Sequence, residues 1–271
     1  MHHFPGYPRP LLFLLVFCSI GHAQNVPMPS SWTPIKFPES SSNDLLCANY
    51  SDNEWHLSID SGELVIAKSA RETHTALPKH FTVTKDMSGT PSVAKSDDGW
   101  LVGFDGGGLW WVSENGRQSR ELIDEHVRAI ITRGNDLLVL TGRVTSDEGK
   151  AYQYKPGALD GGTLLQIADL GSAPVANLVQ DNKTVVIVAQ TRVVAIDPSN
   201  QMHILLLNND MNLLYPNSVV ADPSGNLFVG MRFYVLRLKH DSGDQYQAQW
   251  YVPDRCARAE IRNSLCVCTA H

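Results

Sequence analysis

From Leu45 to Val252 the chain repeats one pattern: an apolar run, a polar turn rich in Asp, Asn or Gly, a second apolar run, a tight turn and a third run. The first unit reads Leu45-Leu-Cys-Ala, then Asp52-Asn-Glu-Trp-His-Leu-Ser-Ile, then Asp60-Ser-Gly-Glu-Leu-Val-Ile-Ala67. The second reads Ser92-Val-Ala, Asp97-Asp-Gly-Trp-Leu-Val-Gly-Phe and Asp105-Gly-Gly-Gly-Leu-Trp-Trp-Val112. The third has Val127-Arg-Ala-Ile-Ile, Gly134-Asn-Asp-Leu-Leu-Val-Leu and, after a longer turn, Ala151-Tyr-Gln-Tyr154. The fourth has Val175-Ala-Asn-Leu-Val, Asp181-Asn-Lys-Thr-Val-Val-Ile-Val and Arg192-Val-Val-Ala-Ile196. The fifth runs from Asn217-Ser-Val-Val-Ala through Asn226-Leu-Phe-Val229 to Phe233-Tyr-Val-Leu-Arg-Leu238, with a last strand over Gln247–Val252.

These runs alternate or are continuously apolar and are bounded by turn residues, which predicts strands. Only Arg120–Ile131 and Cys256–Leu265 have a helical look, and the first lies where a strand is due. With Ser58, Gly103, Thr141, Ala189 and Gly230 taken as equivalent, the period is roughly 40–50 residues, that of a β-propeller blade. A small sheet cannot bury its faces alone, so blades stack around an axis. The expected fold is all-β: a single propeller of five four-stranded antiparallel blades, or six if residues 68–91 or the C-terminus complete another sheet. It would occupy residues 43–254, after a Pro/Ser-rich leader at 24–42 and before a cysteine-containing tail at 255–271.

Composition agrees with a folded chain, at 43% hydrophobic and 18% charged residues in 271. The formal charge is −6. With no run of Lys or Arg, nucleic acid and anionic membranes are poor partners. No stretch approaches the ~20 apolar residues of a membrane span. A monomer is expected.

The N-terminus has the form of an export leader. His2, His3 and Arg9 precede the apolar Leu11–Cys18, and Ser19-Ile-Gly-His-Ala23 supplies small residues before a polar start. Residues 1–23 therefore read as a signal peptide cut after Ala23, leaving an extracytoplasmic chain, periplasmic or secreted. Leu15-Val-Phe-Cys18 is similar to a lipobox, but the bulky Phe17 stands where a small residue belongs. Cleavage leaves Cys47, Cys256, Cys266 and Cys268, and an oxidising compartment favours disulfides. Cys266 and Cys268, about 6.5–7 Å apart if extended, are a strained pair. No Cys-x-x-Cys or nearby His pair makes a zinc set. Cys47 lies on the first strand and Cys256 just after the last, so a Cys47–Cys256 bridge would fasten the seam of a closed ring.

Pro216-Asn-Ser-Val-Val-Ala-Asp-Pro-Ser-Gly-Asn-Leu-Phe-Val229 resembles the repeat of NHL and SMP-30/gluconolactonase propellers. Asp98-Gly-Trp-Leu-Val-Gly-Phe-Asp-Gly-Gly-Gly-Leu-Trp-Trp-Val112 is similar to the repeat of two-component-regulator sensor propellers. These motifs encode a turn and a strand, so the resemblance implies a fold and no activity. Enzymes of the first kind hold a metal with acidic and Asn ligands in the central channel, and no residue here matches that set one for one.

A search for chemistry finds little. Asp105-Gly-Gly-Gly108 lacks the Lys-Ser/Thr and following helix of a phosphate loop. His56, His74, His80, His126, His203 and His240 form no metal-binding pair, and no Gly-x-Ser-x-Gly elbow exists. Asp97, Asp98, Asp181 and Asp222 sit where Asp bonds its own turn. Asn49-Tyr-Ser51 and Asn182-Lys-Thr184 are glycosylation sequons. Trp55, Trp100, Trp110, Trp111 and Trp250 suit inter-blade packing. Trp110 and Trp111, as strand neighbours, face opposite ways, which would leave one of them exposed.

One pattern points to a binding face. Arg143, Arg192 and Arg232 each follow the second strand of a unit, whereas Asp60 and Asp105 occupy that place in the first two units. One side of the face would be basic and the other acidic, and the arginines could grip a carboxylate or sulfate. Two functions follow from these residues. The first is an exported, non-catalytic scaffold binding a protein, peptide or glycan without a cofactor. The second is a metal-dependent hydrolase or lyase, lactonase-like, with Ca²⁺ as its metal.

Overall fold

A computed structural model describes residues 25–35, 56–60, 63–67, 77–78, 80–82, 84, 87–89, 91–144, 146–157, 161–232, 234–241 and 245–253. Strand β1 (Trp32–Ile35) comes first, followed by the antiparallel pair β2 (His56–Asp60) and β3 (Glu63–Ala67), here sheet I. Sheet II is a meander of β4 (Ser92–Ser96), β5 (Gly99–Phe104), β6 (Gly108–Val112) and β7 (Ser119–Ile123). Sheet III is β8 (Val127–Arg133), β9 (Asp136–Gly142), β10 (Gly149–Lys155) and β11 (Thr163–Asp169). Sheet IV is β12 (Pro174–Val179), β13 (Val185–Ala189), β14 (Arg192–Ile196) and β15 (Met202–Leu207). Sheet V is β16 (Ser218–Ala221), β17 (Leu227–Gly230), β18 (Val235–His240) and β19 (Tyr246–Pro253), with β1 paired along β19 as a fifth strand.

The apolar runs explain this order. Second and third strands are covered on both faces, so β13 (Val-Val-Ile-Val-Ala) is buried at every position. Outer strands such as β15 expose Ile204 and Leu207. The segment Arg120–Ile131 is extended, its pattern divided between β7 and β8 by Asp124–His126. Asp222 behaves as a turn aspartate, its Oδ1 accepting from the Ser224 and Asn226 amides.

First strands lie side by side: β4 packs against β8, β8 against β12 and β12 against β16. Cores fill the space between neighbouring sheets, as where Leu101, Leu109 and Trp111 meet Leu137, Val139 and Tyr152. Strand β2 packs on β16 and β17 just as β8 packs on β4 and β5. The hydrogen bonds match as well. The Ile130 amide of β8 donates to Ser92 Oγ of β4 at 2.8 Å, and the Leu57 amide of β2 donates to Ser218 Oγ of β16 at 3.0 Å.

Strand β2 is therefore a first strand, which corrects one alignment. Gly103, Thr141, Ala189 and Gly230 lie on second strands, and Ser58 lies one strand earlier. Asp60 then belongs to a first-to-second turn, at the opposite end of the strands from Asp105. The segment expected as a leader at 24–42 also contributes to the core. Val26 is buried, its amide donates to Asp222 Oδ2, and Trp32–Ile35 extend sheet V. Pro34 hid that strand, because proline reads as a breaker yet is tolerated on an edge. Residues 1–24, with the leader and Cys18, lie outside the described residues, as do Cys47, Cys256, Cys266, Cys268 and Asn49.

Candidate functional site

Second-to-third turns and the loops between sheets share one face. Arg143 lies there, exposed, in the turn after β9. Arg192 opens β14, its guanidinium against Gly171, where an added Cβ would come within 2.2 Å of the terminal nitrogen. Arg192 Nε is buried with no hydrogen-bond partner among the described residues. Arg232 is 9% exposed, with its Cζ 3.8 Å from the Tyr215 ring centroid and its amide donating to the Leu214 carbonyl. The three arginines thus occupy one face, but each turns to a different neighbour. Because Arg232 is buried, replacing all three would not be the neutral surface change that exposed turns suggest.

The acidic side of this face is paired. Asp105 Oδ2 accepts from Arg128 at 2.6 Å, and His126 Nδ1 lies 3.3 Å from Oδ1. Glu125 accepts from Thr141 Oγ1 at 2.6 Å, Lys150 Nζ at 2.7 Å and Tyr152 OH at 3.0 Å. Burial pushes the Glu125 carboxyl up, but these donors outweigh it and hold the carboxyl below its ordinary value. Glu125 raises Lys150 in return, and burial together with Glu125 raises Tyr152. Arg128, Glu125, Lys150 and Tyr152 bore no motif that would mark them beforehand. Only the fold brings them together.

The loop from β15 to β16 gives the face its apolar part. Asn208 caps the 3₁₀ turn Asn209–Leu214 by accepting from the Asp210 amide at 2.9 Å. With three residues per turn, Met211 and Leu214 share the buried side and Leu213 points outward. Tyr215 ends the turn in the left-handed region, at φ 50°. Leu207, Leu213 and Tyr215 are exposed by 57%, 47% and 47%, beside Arg192 and Arg232.

Trp110 and Trp111 are both packed. Trp110 is half-buried and donates to the Gly107 carbonyl at 2.7 Å, facing Val102 and Phe104. Trp111 is buried between sheets II and III, and at Gly161 (φ +81°) a Cβ would come within 2.6 Å of its ring. The two face opposite ways as expected, but neither stands exposed.

On the other face, Asp98 ties sheet II to sheet III. It accepts from Ser96 Oγ at 2.5 Å, from Tyr154 OH at 3.0 Å and from the Gly157 amide at 3.0 Å. Burial raises the Asp98 carboxyl, and the bonds from Ser96, Gly157 and Tyr154 prevail to hold it low. Burial and Asp98 push the Tyr154 phenol well up. As carboxylates, Asp98 bridges the two sheets and Glu125 fastens the loop between them to sheet III. Their depressed values add stability above the unfolded carboxylate range, which is lost as pH falls through the folded values. Acid titration followed by Trp111 fluorescence should show the II–III contact loosening below about pH 4, where unfolded carboxylates protonate. Asp98→Asn should abolish part of that loss.

Among the described residues no three His, Cys, Asp or Glu side chains gather as a metal set, and no helix is long and apolar enough to cross a membrane.

Side-by-side antiparallel meanders, joined through their first strands, define a β-propeller protein. No model of a known protein family matches the sequence, and no curated protein does. Solved propeller structures do match. One is a catalytically inactive virginiamycin B lyase from Staphylococcus aureus with quinupristin, 10% identical, at TM-score 0.46 over 84% of this chain and 90% of that one. A streptogramin B lyase is 14% identical, at TM-score 0.41 over 62% of this chain and 56% of that one, so the match spans about half of that protein. A putative gluconolactonase is 13% identical, at TM-score 0.39 over 58% of this chain and 61% of that one. These likenesses concern the fold alone.

Proposed function

We propose that this chain is an exported, five-bladed propeller that binds a protein or peptide partner on the face of Arg143, Arg192 and Arg232. Sheets I to V are its blades, with β2 against β16 joining sheet I to sheet V, and the ring would close where sheet I meets sheet II. Export rests on the leader pattern in residues 1–23, and a Cys47–Cys256 bridge would reinforce the seam.

The observation that carries the binding reading is the amphiphilic rim at Leu207, Leu213 and Tyr215, flanked by two arginines that adjoining loops hold in place. Exposed apolar groups gathered on a capped turn are features of interaction surfaces. Aromatic and arginine side chains are the usual anchors of such surfaces. The nearby carboxylates favour the same reading. Glu125 is held ionised by a cation and two hydroxyls, an arrangement that builds a fixed charged surface.

Peptide display against the purified mature chain tests this. Selected peptides should combine apolar residues with a carboxylate. Leu213→Ser and Arg143→Glu, both changes at exposed positions, should weaken them about tenfold each, near 1.4 kcal/mol, without altering the fold. Peptides that bind both variants unchanged would place the binding surface elsewhere.

A further inference from the structure

The opposite face carries a separate cavity that the binding rim does not use. It lies between sheets II and III, encloses about 340 Å³, and is lined by both first-to-second turns and by the end of β10. That volume is at the small end of ligand pockets, enough for a small molecule and too little for a folded peptide.

The polar groups on its wall fall into two sets. Ser96 and Tyr154 are spent on Asp98, which lies outside the lining, and Lys95 is paired with Glu114. Asp97, Thr132 and Asn135 are exposed at the cavity, and their side chains make no hydrogen bond to the described residues. Together these three offer a carboxylate acceptor, a hydroxyl and an amide. Such a set satisfies neighbouring hydroxyl groups, each of which both donates and accepts. Leu137, Pro156 and the Tyr154 ring supply an apolar wall for C–H surface. Charge narrows the class further. Lys95 is offset by Glu114, and the Asp97 carboxylate is accompanied by the Lys183 ammonium beside Gly134, so the wall carries little net charge and suits a neutral ligand.

We propose that this cavity binds a neutral sugar ring, with Asp97 and Asn135 gripping adjacent hydroxyls and Thr132 supporting one of them. The bonds of Asp98 to Tyr154 and Gly157 keep the two walls in register before the sugar arrives. This site is independent of the partner face, so either can fail without the other.

Amide NMR titration of the mature chain with glucose, galactose, mannose and N-acetylglucosamine tests the proposal. At least one sugar should give saturable millimolar shifts centred on Asp97, Gly134 and Asn135. Asp97→Ala and Asn135→Ala should each raise its Kd about tenfold or more, as loss of a hydrogen bond to a charged or buried-face group does. Both residues are exposed, so the variants should keep the parent circular dichroism spectrum. Absence of saturable shifts with all four sugars, or binding that survives both substitutions, would overturn the proposal.

Discussion

Phe228→Ala should cost about 3–5 kcal/mol of unfolding free energy, the range for a truncated buried aromatic. Phe228 is 0% exposed and packs with Val26, Leu57, Leu64, Val235 and Tyr251. That cluster draws residues from the N-terminal segment, from sheet I and from sheet V. A cavity there weakens the junction of the two ends of the chain as well as one sheet. Urea denaturation measures the loss, with Val65→Ala on the exposed side of β3 as the control, expected within about 0.5 kcal/mol of the parent. A Phe228→Ala loss no larger than the control's would mean that sheet I does not seal this surface.

Arg133→Met comes next in size, at about 2–3 kcal/mol. The Arg133 side chain is 1% exposed and fixes sheet III to sheet IV. It donates to the Asp197 carbonyl at 2.9 Å and to Asn200 Oδ1 at 2.7 Å, and pairs with Asp136 at 3.4 Å. Methionine keeps the apolar stem but leaves Asn200 Oδ1 without its donor and the Asp197 carbonyl with only the Asn200 amide. The turn amides of Asn200 and Gln201, which close onto Asp197, should then exchange faster than the β13 amides. Equal acceleration in both places would show that Arg133 acts through general packing.

Most strands were legible because their apolar runs are continuous and their turns carry Asp, Asn and Gly, as at Asp181–Lys183 and Asp222–Asn226. What escaped depends on partners distant in sequence. Strand β1 needs the edge of β19, and the rank of β2 is evident only from its contact with β16. Sheets II, III and IV also carry irregularities between third and fourth strands, at Leu109/Trp110, Ala151/Tyr152 and Val193/Val194, which no hydrophobic count reveals. The candidate face was half legible. Turn spacing placed Arg143, Arg192 and Arg232 on one face, but nothing local showed that Arg232 stacks on Tyr215. Nor could spacing show that Glu125 gathers Lys150, Thr141 and Tyr152.

The proposed ring closure requires sheet I to pack on sheet V, and that contact rests most directly on the Leu57 amide, which donates to Ser218 Oγ. Native-state hydrogen exchange can compare it with the Ile130 amide, which makes the equivalent bond to Ser92 Oγ inside the ring. A closed five-bladed ring predicts similar protection at the two amides, with Ser218→Ala speeding exchange at Leu57 while Ile130 stays slow. Exchange of Leu57 at the rate of an unstructured chain, beside a protected Ile130, would contradict closure.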